Sequence, residues 1–567
     1  MWQARWQLLL IVALSAGYEY VFLGRSNGEL FDEGWPLYAA MRLHAGGVLY
    51  RDVFFVFPPG HLLPAWLAYW LDPPGVVLAR GFYAGFNVVL CVALYLLGRR
   101  IMPARFALFS ALLVAVAAPH SHMGQLLFGY RFLIFSTLAL LAFARWLENR
   151  WPGWLLIAGG WSGIALLFRS SPAFAVSCGI GLAIFASQAG GGWLPKRETW
   201  VAGGWFAAGL LLVVSPALLW FANSVGLDVL WRENVVRLMG LQLLQRLPVP
   251  SLELPDFTDR KQLHYWFVAL QYWAYAALFT SYTLALGAAW WRGTSGKRAN
   301  QEDPADETAQ ADQTNQTNPA NRTSRQGRSF AQPLLLAIAI WGGVFLLRTL
   351  GRSDDHHLNS ALPPVCLLLG HLAALAWQRF GEMPSDSVRP SRSIALANGV
   401  QIASLLIAFG LWLFVQGHDR HFAPLERGWI PIEAGSDSPE GGRRVAAEEA
   451  ELKQLLRTIE QTTQPNDTIL DLTASPLLHP LSGRHAVGEF DIFMPGTFIN
   501  RGEEERFIAR LEADPPELVI WPGWPFDTNP ERAVQRTAPR VSQWVKAHYQ
   551  PRDSRRGNRR FIILLPR

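Results

Sequence analysis

Asp32 and Glu33 stand side by side in the stretch GELFDEGWPLYAAMRLHAGGVLYRDVFFVFPPG at 28–60, which follows an apolar run, LLLIVALSAGYEYVFLG. Two adjacent carboxylates at the edge of a membrane segment are suited to proton abstraction. Burial and mutual repulsion raise one pKa towards neutrality and make that group a better base. Asp32 is the base candidate, and Glu33 then orients either the acceptor or Asp32 itself. The competing reading is that Asp32 caps a helix beginning at Gly34 and that both acids solvate a loop. Asp52 follows Tyr50 and Arg51 and is a candidate substrate contact, set against a local ion pair with Arg51.

A second cluster, GRSDDHHLNSALPP at 351–364, carries Arg352, Asp354, Asp355, His356 and His357 directly after another apolar run. Such a density of ionisable groups at a membrane surface points to function rather than solvation. Arg352 offers a planar fork that matches a phosphate, His356 can add a hydrogen bond, and Asp354 belongs to the same substrate-binding set. An interfacial loop of local ion pairs is the alternative. Asp354, His356 and His357, with His120 and His122 of APHSHMG, also raise a divalent metal ion. Adjacent histidines diverge on most backbones, however, and no two-His, one-carboxylate spacing on a helix is evident, so no residue is assigned as a metal ligand.

These groups need elements to position them, and composition names the class. The chain has 567 residues, of which 51% are hydrophobic and only 17% charged, with 25 Trp and a mean hydropathy of +0.15. That composition reads as a polytopic α-helical membrane protein. The net charge of +6 does not point to nucleic acid, because the basic residues sit in short clusters between apolar runs. A span needs roughly 20 mainly apolar residues. About eleven candidates lie near 8–23, 76–97, 106–119, 126–144, 154–168, 173–188, 200–221, 266–290, 331–347, 362–377 and 394–415. Clusters at Arg5, Arg99 with Arg100 and Arg105, Arg145 with Arg150, Lys196 with Arg197, Lys297 with Arg298, and Arg379 with Arg389 and Arg392 fall at every second loop. Those loops are expected to be cytoplasmic, as is the N-terminus. The loop 24–75, the cluster at 351–364 and everything after about 416 then share the outer face.

Two regions depart from the membrane pattern. The segment 293–329 is polar and low in complexity, and is expected to be a disordered cytoplasmic linker within a transmembrane domain at 1–416. Over 417–567, the strand-like runs DTILDL, ELVIWP and FIILLP alternate with the amphipathic RRVAAEEAELKQLLRTIEQ and with ERFIARLEAD. An external α/β domain with a parallel or mixed sheet is expected there. Arg169 ends an apolar run, where snorkelling to the interface is the default. The stretch 226–247 is amphipathic and is expected to lie along the outer membrane surface, where it can guide a lipid. Cys91, Cys178 and Cys366 each fall inside an apolar run and read as buried small hydrophobes.

The Asp32-Glu33 pair after the first span, with Gly34, Tyr38-Ala39-Ala40, Gly46-Gly47, Tyr50-Arg51-Asp52 and Pro58-Pro59-Gly60, resembles the first external loop of GT-C glycosyltransferases. More narrowly, it is similar to the bacterial relatives of protein O-mannosyltransferases and of the lipid A aminoarabinose transferase. PNDTILDL, LSGRHAV and IARLEADPPELVIW resemble the external C-terminal domain of many such proteins. The resemblance implies an inverting transfer of a sugar from a polyprenyl-phosphate carrier to a glycan, lipid or protein acceptor, on the outer face of a bacterial inner membrane. Many GT-C enzymes carry another acid in the loop after the third span. Here HSHMGQLLFGYR has none, which leaves His120, His122 and Arg131 as substrate contacts only. The rival is a non-catalytic membrane protein, either a lipid-linked glycan transporter or a degenerate GT-C scaffold. A transporter should carry ionisable groups at mid-span and an internal repeat, whereas the acids here read as loop residues.

Overall fold

The computed structural model describes residues 2–23, 30–117, 131–188, 196–244, 246–247, 249–302, 319–351, 357–358, 360–381, 450–525, 529–552 and 561–567. Its first part is helical: α1 (Trp2–Leu23), α2 (Gly34–His44), α3 (Leu63–Leu71), α4 (Val76–Gly98), α5 (Ala104–Ala117), α6 (Leu133–Asn149), α7 (Gly153–Phe168), α8 (Ser170–Gln188), α9 (Arg197–Val225), α10 (Leu227–Trp231), α11 (Leu238–Leu244), α12 (Arg260–Glu302), α13 (Pro319–Arg348) and α14 (Leu362–Gly381). A helix occupies each of the first ten ranges expected to span, and the eleventh, 394–415, lies outside the described residues. Four helical stretches are by themselves long and apolar enough to cross a membrane: α4, 170–187 of α8, α9 and 331–348 of α13. Of the polar segment 293–329, the ends continue α12 to Glu302 and open α13 at Pro319.

Apolar composition explains helices here, because a backbone in lipid must satisfy its own polar groups. What needs explaining is where they stop. α7 and α8 are consecutive but broken at Arg169, whose backbone is extended (φ −159°, ψ 123°). Pro172 follows in the first turn of α8. In a continuous helix Pro172 would have no N–H for the carbonyl of Phe168, and its ring would collide with that carbonyl. The break removes the collision and leaves the Phe168 carbonyl to another donor. It also turns the Arg169 side chain out of helical register.

The C-terminal part forms a five-stranded mixed sheet in the order β2-β1-β3-β5-β4. Its strands are β1 (Thr468–Asp471), β2 (His485–Ala486), β3 (Leu518–Pro522), β4 (Tyr549–Pro551) and β5 (Phe561–Pro566). β1 runs parallel to β2 and β3, while β5 is antiparallel to both β3 and β4. The runs DTILDL, ELVIWP and FIILLP supply β1, β3 and β5; β2 and β4, two and three residues long, were too short to carry a period. The helices Ala450–Thr462, Arg501–Ala513 and Pro539–His548 accompany the sheet. Its core is not its own. Leu470, Val519, Phe490 and Phe507 belong to one buried cluster with Trp35, Phe54, Phe55 and Leu62 of the first loop.

Candidate active site

The acidic pair is built into a corner where the helices meet the sheet. Glu33 is the N-cap residue of α2, and its side chain makes no capping bond. Its carboxylate instead accepts both arms of Arg80, Nε at 2.7 Å and Nη2 at 2.6 Å, with both side chains almost wholly buried. Arg80 also donates to the carbonyl of Leu23 at 3.1 Å, tying the end of α1 to the start of α4. A bidentate pair of this kind tolerates burial because its charges and hydrogen bonds are matched. Asp32 is buried beside it, 8% exposed. Gly34 follows because nothing larger fits: a Cβ there would lie 2.1 Å from the backbone nitrogen of Leu477, which donates to the carbonyl of Leu30 at 3.0 Å.

Arg169 completes this corner, and it does not snorkel. It is buried, 5% exposed, with its guanidinium over the Phe57 ring at 4.8 Å. Burial disfavours its charge, as does the nearby Arg348, while Asp32 and Tyr83 favour it. Arg169 therefore feels both Asp32 and Arg348 electrostatically. The Pro58-Pro59-Gly60 turn brings the first loop against this break: a Cβ at Gly60 would come within 2.7 Å of the Leu167 carbonyl. His61 then bonds through Nδ1 to the carbonyl of Phe168 at 3.3 Å, the carbonyl that the break had released. A carbonyl only accepts, so Nδ1 carries the proton. The ring is stacked on Phe57 (5.0 Å, 18°) and meets the edge of Phe132 at 4.6 Å.

The remaining expected site residues are placed as follows. Arg131 is buried in an ion pair with Glu19 of α1, Nη2 lying 3.2 Å from both carboxylate oxygens, and Asn87 donates to the same glutamate at 2.6 Å. The reading that acids occur only in loops fails at Glu19, which lies within the first helix. Asp52 forms the local pair with Arg51 at 2.8 Å and accepts from the backbone of Val48 at 2.8 Å. The hydrogen bond from Arg51 holds its carboxyl below the ordinary range, against a smaller opposing effect of burial. Arg352, Asp354 and His356 lie outside the described residues, as do His120 and His122. Among the described residues no group of three His, Cys, Asp or Glu is placed to hold a metal.

An apolar cavity of about 550 Å³ adjoins Arg169, bounded by Ser170, Pro58 and Pro59 on one side and by Phe221, Trp231 and Val235 on the other. Its outer wall is the stretch after α9, in which Arg232–Arg237 forms a π-helical turn between α10 and α11. Arg237 is buried and bonds Glu233 (2.6 Å) and Glu503 (3.0 Å), and also reaches the carbonyl of Thr497, so the wall is fastened to the sheet region. On the far side of α2, the Tyr38 hydroxyl accepts from the N–H of Ala486 at 2.6 Å, and its ring stacks on His479 at 4.4 Å. Burial pushes His479 down to about 3 and Asp491 well above the usual carboxylate range.

Residues 77–220 match the dolichyl-phosphate-mannose-protein mannosyltransferase family. Over the whole chain, the structure superposes on ArnT from Cupriavidus metallidurans bound to undecaprenyl phosphate. The TM-score is 0.52 at 14% identity, covering 98% of this chain and 97% of that one. The apo state of the same protein gives 0.53 at 14% identity, covering 99% and 98%. The fold is GT-C. No curated protein matches the chain in sequence. The contacts of Glu33 with Arg80 and of Gly60 and His61 with Leu167 and Phe168 put the acidic pair and Arg169 at one end of the helices. Sequence reading singled out Asp32 and Glu33 and did not name Arg80, Arg348 or His61, which the structure packs around the same corner. Arg80, in VVLARGFYAGFNVV, and Glu19, in GYEYVFLG, carried a usable signal, since a charge inside an apolar run demands a partner.

Proposed function

We propose that this protein transfers a sugar from a polyprenyl-phosphate carrier to an acceptor hydroxyl on the outer face of the membrane, with inversion at the anomeric carbon. The observation that carries this is the burial of Asp32 within electrostatic reach of Arg169, whose neighbours Leu167 and Ser170 line an apolar cavity. A lipid phosphate needs cations for its head and an apolar channel for its tail, and a glycosyl acceptor needs a base. In the step itself, the acceptor oxygen bonds to the anomeric carbon as the bond from that carbon to the phosphate oxygen breaks. The electron pair leaves with polyprenyl phosphate, and the acceptor proton passes to Asp32. Arg169 and Arg348 hold the negative charge that gathers on the departing phosphate, and Arg352 is assigned the same work. Glu33, held by Arg80, acts as a positioning residue for Asp32. The prenyl chain lies between Pro58-Pro59 and the α10–α11 wall.

The activity test is release of polyprenyl phosphate by the purified full-length chain from a panel of lipid-linked sugars; no release with any donor, from folded protein, would reject the reading. Orientation is tested separately in intact cells. A cysteine placed at Ser436 is expected to label from outside, and one at Ser295 is not. The reverse pattern would put the corner on the wrong side of the membrane.

A further inference from the structure

The end of α4 remote from the acidic pair borders a second cavity. It has a volume of about 480 Å³ and lies between the ends of α4 and α6 and the start of α7. Arg99, Arg100 and Arg145 line one part, and Leu96, Ile157 and Trp161 another. Nineteen residues of helix separate Arg80 from Arg99, roughly 28 Å at 1.5 Å per residue. That is close to the thickness of a bilayer's hydrocarbon core. The two arginine groups are therefore about a bilayer core's thickness apart along one helix.

Charge here is not balanced as it is around Asp32. Glu148 pairs with both Arg100 and Arg145, lying 3.1 Å from the latter. Arg99 packs over the Tyr95 ring at 5.8 Å and has no carboxylate partner among the described residues. One carboxylate thus serves two of the three guanidinium groups, and the third has none among the described residues. Leu96 and Ile157 are both exposed at the apolar rim, so the cavity opens sideways to where acyl chains run. Trp151, exposed and edge-on to Trp154 at 5.9 Å, marks the headgroup level. Positive charge that served only to set topology would need no cavity and no apolar wall.

We propose that this cavity binds the headgroup of an anionic phospholipid, its phosphodiester seated between Arg99 and Arg145 and its acyl chains along Leu96 and Ile157. Basic pockets between membrane helices suit such headgroups, and each positive charge near the surface changes affinity about fivefold. The inference goes beyond the proposed transfer reaction and is read by binding alone, so loss of one does not touch the other.

The test is native mass spectrometry of the delipidated full-length chain titrated with phosphatidylglycerol or phosphatidylethanolamine. Wild-type protein is expected to favour phosphatidylglycerol by at least about fivefold, and R99Q/R145Q to lose that preference. E148Q removes the counter-charge and is expected to tighten phosphatidylglycerol binding by about fivefold, which decides the matter even where the double variant fails to fold. Millimolar inorganic phosphate is expected to leave the bound lipid in place. Equal binding of the two lipids by wild-type protein, unchanged or weaker phosphatidylglycerol binding in E148Q, or displacement by inorganic phosphate would each overturn the proposal.

Discussion

At the starts of α4 and α6, Arg80 and Arg131 are buried and each faces its own carboxylate, Glu33 or Glu19. At the ends of the same helices, Arg99, Arg100 and Arg145 are exposed or half-buried; Arg100 and Arg145 share one carboxylate, Glu148, and Arg99 has none among the described residues. The difference follows from solvation. A buried guanidinium must be matched or the fold loses several kcal/mol, whereas a partly solvated one can stay unmatched at little cost. Matched arginines are therefore structural anchors, and unmatched ones are available to a ligand. Arg169 stands between the two classes, since it is buried like an anchor but has a second cation, Arg348, beside it.

The sharpest way to break the comparison is to remove the buried acid next to the Glu33 anchor. Asp32→Asn keeps volume and most hydrogen bonding. Membrane insertion and thermal stability are expected to be normal, while polyprenyl phosphate release falls by about 10²–10⁴-fold. Near-wild-type release would reduce Asp32 to part of a helix start. Next comes the anchor itself. Arg80→Met alone leaves Glu33 buried and unmatched, at an expected cost of about 3–5 kcal/mol by denaturant unfolding. Combining it with Glu33→Leu should recover most of that loss, and additive losses would show that the pair does not act as a unit. Glu33→Gln should lower turnover less than Asp32→Asn does.

Arg169 is expected to separate binding from folding. Arg169→Ala should raise the KM for the lipid donor or lower kcat/KM by an amount equal to a lost charged hydrogen bond, about 1.5–3 kcal/mol. Arg169→Lys should rescue only in part, because a point charge does not reproduce the fork. Unchanged donor kinetics would assign Arg169 to structure. The smallest effect is expected at the exposed pair. Asp52→Asn should change stability by no more than about 1 kcal/mol. The folded-state pKa of Asp52 is depressed, so its contribution is present above the unfolded carboxylate value and is lost as pH falls through the folded one. The variant and wild type should therefore converge in acid; a gap that widens there would contradict the assignment.

The helices were legible because lipid imposes a rule that composition cannot hide: ten expected spans met ten helices without any tertiary information. The three longer strands were legible for a similar reason, as short apolar runs between turn residues. The site was legible only in part. Asp32 and Glu33 announce themselves as a pair in a loop, but Arg80 is 47 residues from Glu33 and Arg169 lies further still along the chain. Pairing across such separations is a property of packing, and sequence shows only that each charge needs some partner. The Arg169 side chain was misread because snorkelling assumes an uninterrupted helix, and Pro172 breaks it.

The shared core of the first loop and the sheet sets a schedule for synthesis. Arg80 leaves the ribosome within seconds of Glu33, so the anchor can close early. Leu477, which lies against Gly34, and Ala486, 448 residues beyond its partner Tyr38, arrive roughly 20–90 s later at ordinary elongation rates. For that interval the acidic pair has its wall but not its roof. β5, which lies between β3 and β4 in the sheet, is made after both. On the proposed assignment of Asp32, a nascent chain stays chemically silent until the sheet has been made and packed over the first loop.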